Sequence, residues 1–314
     1  MSRQTLRQAL ALLEQDGKIE RRQGRGTYVA ASFISKARQW NVGVIATYIS
    51  EYIFPSIMRG IESELTENGF SPILCATQNR VDSERRILED LMKKSIDGLI
   101  VEGTKTALPN PNIRFYQEIE KSGIPVVFFN GYYPVLSDSV YVVMDDRQGG
   151  YGAVGSLVKK GHKKIAGIFK SDDIQGMERY SGYIQAIIDN GLEFKDEWVY
   201  WFNSENRQYI FTDEKARIIE MFQECTAVVC YNDEIAVKLV NLFKSSVYRI
   251  PQDKAIMSFD NSLLSEISTP HLTSLDHPKE ILGAVAARKI VSMINGKKEK
   301  SVKLEWGISL KDST

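Results

Sequence analysis

From Asn41 to the end of the chain, short apolar runs alternate with amphipathic stretches, and this alternation constrains the fold more than any other feature. VGVIATYI precedes PSIMRGIESELTEN, FSPILCA precedes DSERRILEDLMKK, and IDGLIVEG follows. The pattern continues through IPVVFFN, RQGGYGAVGSLVKKG, KIAGIF, RYSGYIQAIIDNG, EWVYW, AVVCYNDEIAVKLVNLF and AIMSFD. Strands alternating with helices predict parallel sheets covered by helices on both faces. The total exceeds one such sheet, so two α/β lobes with a cleft between them are expected. Ligands of open parallel sheets sit beyond the carboxyl ends of the strands.

The polar residues that close the apolar runs are therefore the candidate ligand contacts. In the first lobe these are Tyr48, Glu51, Glu102, Lys105 and Asn130; in the second they are Arg179, Asn232, Asp233 and Asp260. Carboxylates, amides and a guanidinium converging on a cleft suit the paired hydroxyls of a neutral sugar, and Tyr52, Phe54 and Trp201 could stack on its apolar side. Each polar residue taken singly also fits a helix cap or a strand-end turn, Asp233 and Asp260 especially.

The first 31 residues follow a different pattern. Leu6, Ala9, Leu10 and Leu13 form a helical stripe with Ser2 placed to cap it and Gly17 to end it. KIERR, a turn at Gln23–Gly26 and TYVAA read as a hairpin, in which Gly24 and Gly26 permit a sharp reversal. Residues 1–40 carry Arg3, Arg7, Lys18, Arg21, Arg22, Arg25, Lys36 and Arg38 against Glu14, Asp16 and Glu20. The whole chain has a formal net charge of zero, so a basic head sits on an acidic body, which suits a polyanion partner for the head alone. A recognition helix with Arg3, Gln4, Thr5 and Arg7 near its start, followed by a basic wing with Arg21, Arg25 and Gly26, would read DNA bases and phosphates. A solvated amphipathic helix and hairpin is the alternative.

The string SRQTLRQALALLEQDGKIERRQGRGTYV resembles the C-terminal half of the winged helix-turn-helix domain of GntR-type bacterial regulators. In that family a Ser-Arg-x-Thr-(Val/Leu)-Arg helix leads into a Gly-rich wing ending Gly-Thr-(Phe/Tyr)-Val. The resemblance implies operator contacts from Arg3, Thr5, Arg7 and the wing around Gly26. The family places two further helices and a strand before this point, so the head as given is expected to be partial, with a truncated start as the favoured explanation.

The body resembles LacI-type, periplasmic-binding-protein-like effector domains. VMDDRQGGYGAVGSLVKKGHKKIAGI matches their Asp-x-x-x-Gly-Gly…Leu-x-x-x-Gly-His-x-x-Ile pattern, and ERYSGY their Arg-x-x-Gly-(Tyr/Phe). CYNDEIA, MSFDN and the closing LKDST match further motifs in order, with Lys311 standing for the usual Arg. By this resemblance Arg179, Asp260 and Asn232 or Asp233 bind sugar hydroxyls. Asn130 stands where the family often has an Asp, and His162 belongs to a structural Gly-His turn. The pairing of such a head with such a body, together with the GTKTALPNPNI and EWGISLKDST segments, resembles regulators of arabinose uptake and utilisation operons in Gram-positive bacteria. That resemblance implies L-arabinose as effector, operator DNA as partner and a homodimer.

The expected organisation is a partial winged helix over 1–31, a linker over 32–40 and a type I sensor over 41–314. Lobe one would hold 41–143 and 275–297, and lobe two 144–274 and 298–314. The start MSRQTLRQAL has no apolar signal-peptide core, and Cys75, Cys225 and Cys230 show no CxxC spacing, so the cytoplasm is the expected compartment and no membrane partner is expected. His162, His271 and His277 have no metal-ligand spacing, and neither a Gly-x-Ser-x-Gly elbow nor a phosphate-binding loop occurs. An enzyme, a cofactor and a metal are thus not expected. The rival reading is a solute-binding receptor for a small sugar without DNA-binding function.

Overall fold

The computed structural model describes residues 3–22, 26–29 and 40–314. The head begins with helix α1 (Arg3–Gln15), then strands β1 (Ile19–Arg22) and β2 (Gly26–Val29) paired antiparallel from Ile19↔Val29 to Arg22↔Gly26. Gly26 takes a positive φ of 102°, as the reversal requires. Leu6 and Leu12 on α1 are more than half exposed, so the apolar stripe lacks cover among the described residues. Gln4, Thr5 and Arg7 are exposed on α1, whereas Arg21 is engaged with Glu14 at 3.3 Å and so ties the hairpin to the helix. Ser2, Gly24, Arg25, the Arg3 side chain and the linker up to Gln39 lie outside the described residues.

The body consists of two six-stranded sheets. Lobe one is built from β3 (Asn41–Ala46), α2 (Phe54–Glu67), β4 (Ser71–Ala76), α3 (Val81–Lys93), β5 (Gly98–Val101), α4 (Ile113–Lys121), β6 (Val126–Phe129) and β7 (Val140–Met144). Lobe two follows with α5 (Asp146–Lys159), β8 (Ile165–Lys170), α6 (Ile174–Asp189), β9 (Val199–Phe202), α7 (Lys215–Met221), β10 (Ala227–Cys230), α8 (Asp233–Lys244), β11 (Ala255–Asp260), α9 (Leu263–Ile267) and β12 (Thr273–Asp276). The chain then returns to lobe one as α10 (Lys279–Ile294) and β13 (Val302–Leu304), and ends in lobe two with β14 (Gly307–Ser309). Every pairing in the two sheets is parallel except β12 with β14. β5, β6 and β10 are buried at every position, because helices cover both faces.

Three expected boundaries are corrected. Met144 ends β7 in lobe one, and Leu275 and Asp276 pair with Phe259 and Asp260 and so stay in lobe two. The segment after α10 returns to lobe one. Residues 298–304 belong with lobe one, since Val302, Lys303 and Leu304 pair in parallel with Val142, Val143 and Met144. The reason is the preceding helix: α10 packs on the first sheet, so the chain leaves it beside the open edge of β7 and extends that edge before crossing. The crossings fall at Asp145, at His277–Pro278 and at Glu305–Trp306.

Glycines set the helix packing within each lobe. A Cβ on Gly60 would lie 2.1 Å from Glu280 O and one on Gly283 would lie 2.2 Å from Ile57 O, so α2 and α10 touch backbone to backbone. In lobe two a Cβ on Gly150 would lie 2.0 Å from Arg179 O, and one on Gly182 only 1.8 Å from Arg147 O. The α5–α6 contact therefore seats the Arg179 backbone directly against Gly150. Among the described residues no helix is long and apolar enough to cross a membrane.

Candidate effector site

A cavity of about 320 Å³ lies between the lobes, at the carboxyl ends of both sheets. Of the expected contacts, Tyr48, Glu51, Glu102, Asn130, Arg179, Asn232 and Asp260 line it. Parallel strands bring most of them there, since each run ends at the same rim and the residues that follow face the cleft. Arg179 instead reaches it from the second turn of α6, not from the helix start.

On the lobe-one side, Glu102 is buried just past β5. Its Oε2 accepts from the Thr47 N–H at 2.7 Å, and its Oε1 from Asn130 Nδ2 at 3.1 Å. Burial pushes the Glu102 pKa up, and the hydrogen bonds from Thr47 and Asn130 oppose that rise. Asn130 stands at a positive φ of 56°, and its buried Oδ1 has no protein donor among the described residues.

On the lobe-two side, Arg179 is the hub. Its Nε donates to Asp146 Oδ1 at 2.8 Å, Nη1 donates to Tyr231 O, and Nη2 lies 3.5 Å from Asp260 Oδ1. The guanidinium also packs on Phe259 (4.4 Å), Tyr231 (4.9 Å) and Trp306 (5.1 Å). Burial works against the Arg179 charge, but Asp146 and Asp260 outweigh it and hold the group protonated. Among the described residues no hydrogen bond reaches the buried Asp260 Oδ1, while Oδ2 accepts from the Tyr52 hydroxyl at 2.7 Å.

Three expected contacts are corrected. Asp233 is fully buried beneath the site. Its Oδ2 accepts from the N–H (2.7 Å) and hydroxyl (2.8 Å) of Ser262, and its Oδ1 from the Ser274 hydroxyl at 2.8 Å. Burial and neighbouring Asp260 push its carboxyl up to about 6. It braces the β11–α9 turn. Lys105 points instead to Glu205, with which it pairs across the mouth. Trp201 packs inside lobe two against Tyr180 (4.9 Å) and Phe169 (5.9 Å), leaving Tyr48, Tyr52, Phe54, Phe202 and Tyr231 as the aromatic lining. Asn232 serves in two capacities: its Oδ1 caps α8 by accepting from the Ile235 N–H at 3.1 Å, and the residue lines the cavity. His162 bonds Thr226 at 2.9 Å, outside the cavity.

Lys170, Asp173, Arg207 and Tyr231 were not among the residues singled out in the sequence. Lys170 closes β8 and had the same strand-end signal as the others. Its Nζ lies 2.9 Å from Asp173 and 3.5 Å from Asp172; burial lowers its pKa, yet the two carboxylates more than restore it. Tyr231 donates to Asp173 Oδ2 at 2.7 Å. Arg207 lies in a stretch without strand or helix, so no periodicity marked it; it covers the Tyr48 ring at 4.7 Å and lies 3.8 Å from Glu51. The lobes are thus bridged on several sides. Tyr52 accepts from the Asp233 N–H at 3.2 Å as well as donating to Asp260. Among the described residues no group of His, Cys, Asp and Glu could hold a metal ion.

Two parallel α/β lobes, joined by three crossings around a polar interlobe cavity, define a two-lobed sensor of the periplasmic-binding-protein type. The family model for a periplasmic binding protein-like domain matches residues 154–314, and that for bacterial regulatory proteins of the gntR family matches residues 1–29. The arabinose metabolism transcriptional repressor of Halalkalibacterium halodurans is 39% identical over 300 residues, spanning 94% of this chain and 80% of that protein. The protein of the same name from Geobacillus stearothermophilus is 35% identical over 297 residues, spanning 94% and 81%. Among solved structures, the transcription regulator CcpA of Lactococcus lactis superposes with a TM-score of 0.77 at 27% identity, covering 87% of this chain and 98% of that one. A complex of the transcriptional regulator CelR with cellobiose has a TM-score of 0.78 at 22% identity, covering 100% and 92%, a likeness of fold. The chain belongs to the family of arabinose metabolism transcriptional repressors, with a GntR-type region ahead of a LacI-type body.

Proposed function

We propose that the cleft binds L-arabinose, and that sugar binding releases a homodimer of this repressor from operator DNA of arabinose uptake and utilisation operons. The observation that carries this reading is a pair of bare acceptors, one on each lobe. Asn130 and Asp260 line the cavity, and among the described residues the buried Oδ1 of each accepts no hydrogen bond, Asp260 Oδ1 having only the Arg179 guanidinium nearby at 3.5 Å. A buried acceptor without a donor costs about 1–3 kcal/mol, a cost that a polyhydroxylated ligand relieves and an apolar one does not. Lys170, Arg179, Arg207 and Lys238 are set against Glu51, Glu102, Asp173, Glu234 and Asp260 around the same space, which favours a neutral ligand over an ionic one. Tyr52, Phe54 and Tyr231 offer apolar faces to the carbon side of a sugar ring.

Arabinose in particular is supported by the names of the two relatives aligned over 94% of the chain. Release requires that the sugar favour the arrangement with low operator affinity, since a ligand of equal affinity for both arrangements shifts nothing. Exposed Arg7 and Thr5 on α1 are the described candidates for base and phosphate contact. Titration calorimetry with L-arabinose, D-xylose and D-ribose tests the effector, and fluorescence anisotropy on arabinose-operon promoter DNA tests release. Heat from L-arabinose and a sugar-dependent fall in anisotropy are expected, with Arg7→Ala weakening the DNA complex. Heat only from another sugar would overturn the effector assignment, and an operator complex indifferent to sugar would overturn the release.

A further inference from the structure

Residues 103–112 join β5 to α4 without helix or strand, and beneath them lies a carboxylate that the cavity does not use. Glu84, on the first turn of α3, is fully buried. Its Oε1 accepts from the hydroxyls of Tyr116 (2.8 Å) and Tyr133 (2.7 Å), with the Thr104 N–H at 3.3 Å. Its Oε2 accepts from Asn110 Nδ2 (2.9 Å) and Asn112 Nδ2 (2.8 Å). Among the described residues no cation lies within ion-pair distance of it. A buried carboxylate is tolerated only when its lone pairs are taken up, and here neutral donors and the amino end of α3 do so. Three of those donors, Thr104, Asn110 and Asn112, belong to the one irregular segment.

The outer side of that segment clasps lobe two. Thr106 Oγ1 accepts from the Ile174 N–H at 2.9 Å, at the start of α6, and Lys105 pairs with Glu205. Asn79 completes the clasp: its Oδ1 accepts from the Lys105 N–H at 3.0 Å, and its Nδ2 donates to Ser204 Oγ at 2.5 Å. Lys105 holds a positive φ of 47°, a conformation that a side-chain-bearing residue keeps only when its surroundings fix it.

We propose that Glu84 is a positioning residue for effector binding, holding residues 103–112 as a latch that fastens the two lobes around the ligand. The inference rests on the interlobe cavity being the effector site. Glu84, Asn110 and Asn112 are not part of the cavity lining, so their effect on the ligand is indirect. Asn112 Nδ2 also donates to Val81 O at 2.9 Å, and Asn110 Nδ2 to Tyr133 Oη at 2.7 Å. Among the described residues, though, the carboxylate is the one acceptor that joins both amides to the two tyrosines. Without its charge and full set of lone pairs the segment is held less tightly and its clasp on lobe two loosens. Apparent affinity falls with the fraction of molecules whose latch is formed.

The test compares full-length wild type, Glu84→Gln and Lys105→Met by L-arabinose calorimetry and by hydrogen exchange. For Glu84→Gln the expected result is affinity weakened about tenfold, with faster exchange in 103–112 and in the facing segments 171–176 and 203–206, while β3 and β5 stay protected. Lys105→Met keeps Glu84 and every lining residue; it should weaken binding less, and its binding should depend less on salt than that of wild type. Wild-type affinity in Glu84→Gln overturns the proposal. If Glu84→Gln instead loosens the whole first sheet, Lys105→Met decides, and an unchanged isotherm there overturns the latch. If wild type itself takes no L-arabinose, the effector assignment fails separately. The latch then stands or falls on whether Glu84→Gln accelerates exchange at 171–176 and 203–206.

Discussion

Tyr52→Phe removes a single oxygen from the bridge between the lobes. In the folded protein that hydroxyl donates to Asp260 Oδ2 at 2.7 Å and accepts from the Asp233 N–H at 3.2 Å. Burial, with Asp260 and Asp233 adding to it, pushes the phenol pKa well above its ordinary value, so it acts as a donor throughout the accessible pH range. Asp260 is 4% exposed, and the phenylalanine ring would keep water from replacing the lost donor. With the lobes apart, water can serve both partners, so the cost falls on the closed arrangement. A hydrogen bond to a charged group contributes about 1.5–3 kcal/mol, and each 1.4 kcal/mol is about tenfold, so L-arabinose affinity should fall about ten- to a hundredfold. Calorimetry measures this directly, and the sugar concentration for half-release of operator should shift in parallel. Circular dichroism should stay that of wild type. An isotherm indistinguishable from wild type, with the fold intact, would refute the idea that this hydroxyl stabilises closure.

Two further outcomes follow from the buried charges. Arg179→Met leaves Asp146 and Asp260 without their shared cation, and loss of one partner of such a buried network costs about 3–5 kcal/mol, so chemical denaturation should show a large loss of stability as well as a loss of sugar binding; unchanged stability would mean that the guanidinium serves the ligand alone. His277 is buried at a crossing with neither ring nitrogen bonded among the described residues, and burial, followed by Lys279 and Arg179, lowers its pKa from 6.5 to about 3. Its neutral form is thus favoured in the fold. Stability is present above pH 6.5 and lost as pH falls toward 3, by about 2 kcal/mol at pH 5. His277→Gln should lack that increment, and parallel pH–stability curves for the two proteins would contradict it.

Strand–helix alternation from Asn41 onward was enough to read two lobes, a cleft and the rim that faces it, because parallel strands buried on both faces leave continuous apolar runs with polar ends. Tyr48, Glu51, Glu102, Asn130, Asn232 and Asp260 carried that strand-end signal and line the cavity, as does Arg179, although it stands on the second turn of α6 and not at a helix start. Lys170 carried it too and was legible in principle. The same signal misled at Asp233 and Lys105. A strand-end polar residue can turn inward to satisfy buried serines, or outward to a partner on the other lobe, and local sequence is alike in each case. Arg207 and Glu84 were beyond reach for a different reason: one lies on an irregular segment and the other on a helix, where no pattern separates a buried carboxylate from a solvated one.

What the sequence determined by itself was therefore the class: the order of elements, the basic head ahead of an acidic body, and the motifs that mark a GntR-type region joined to a LacI-type sensor. Tertiary structure alone decided the rest. It returned Val302–Leu304 to the first sheet, set Gly150 and Gly182 where α5 and α6 touch, and chose which buried polar groups find partners within the protein. Those choices depend on partners far apart in the chain, such as Tyr52 with Asp260 or Thr106 with Ile174. Hydrogen bonding is a property of the atoms that meet, and only folding brings them together.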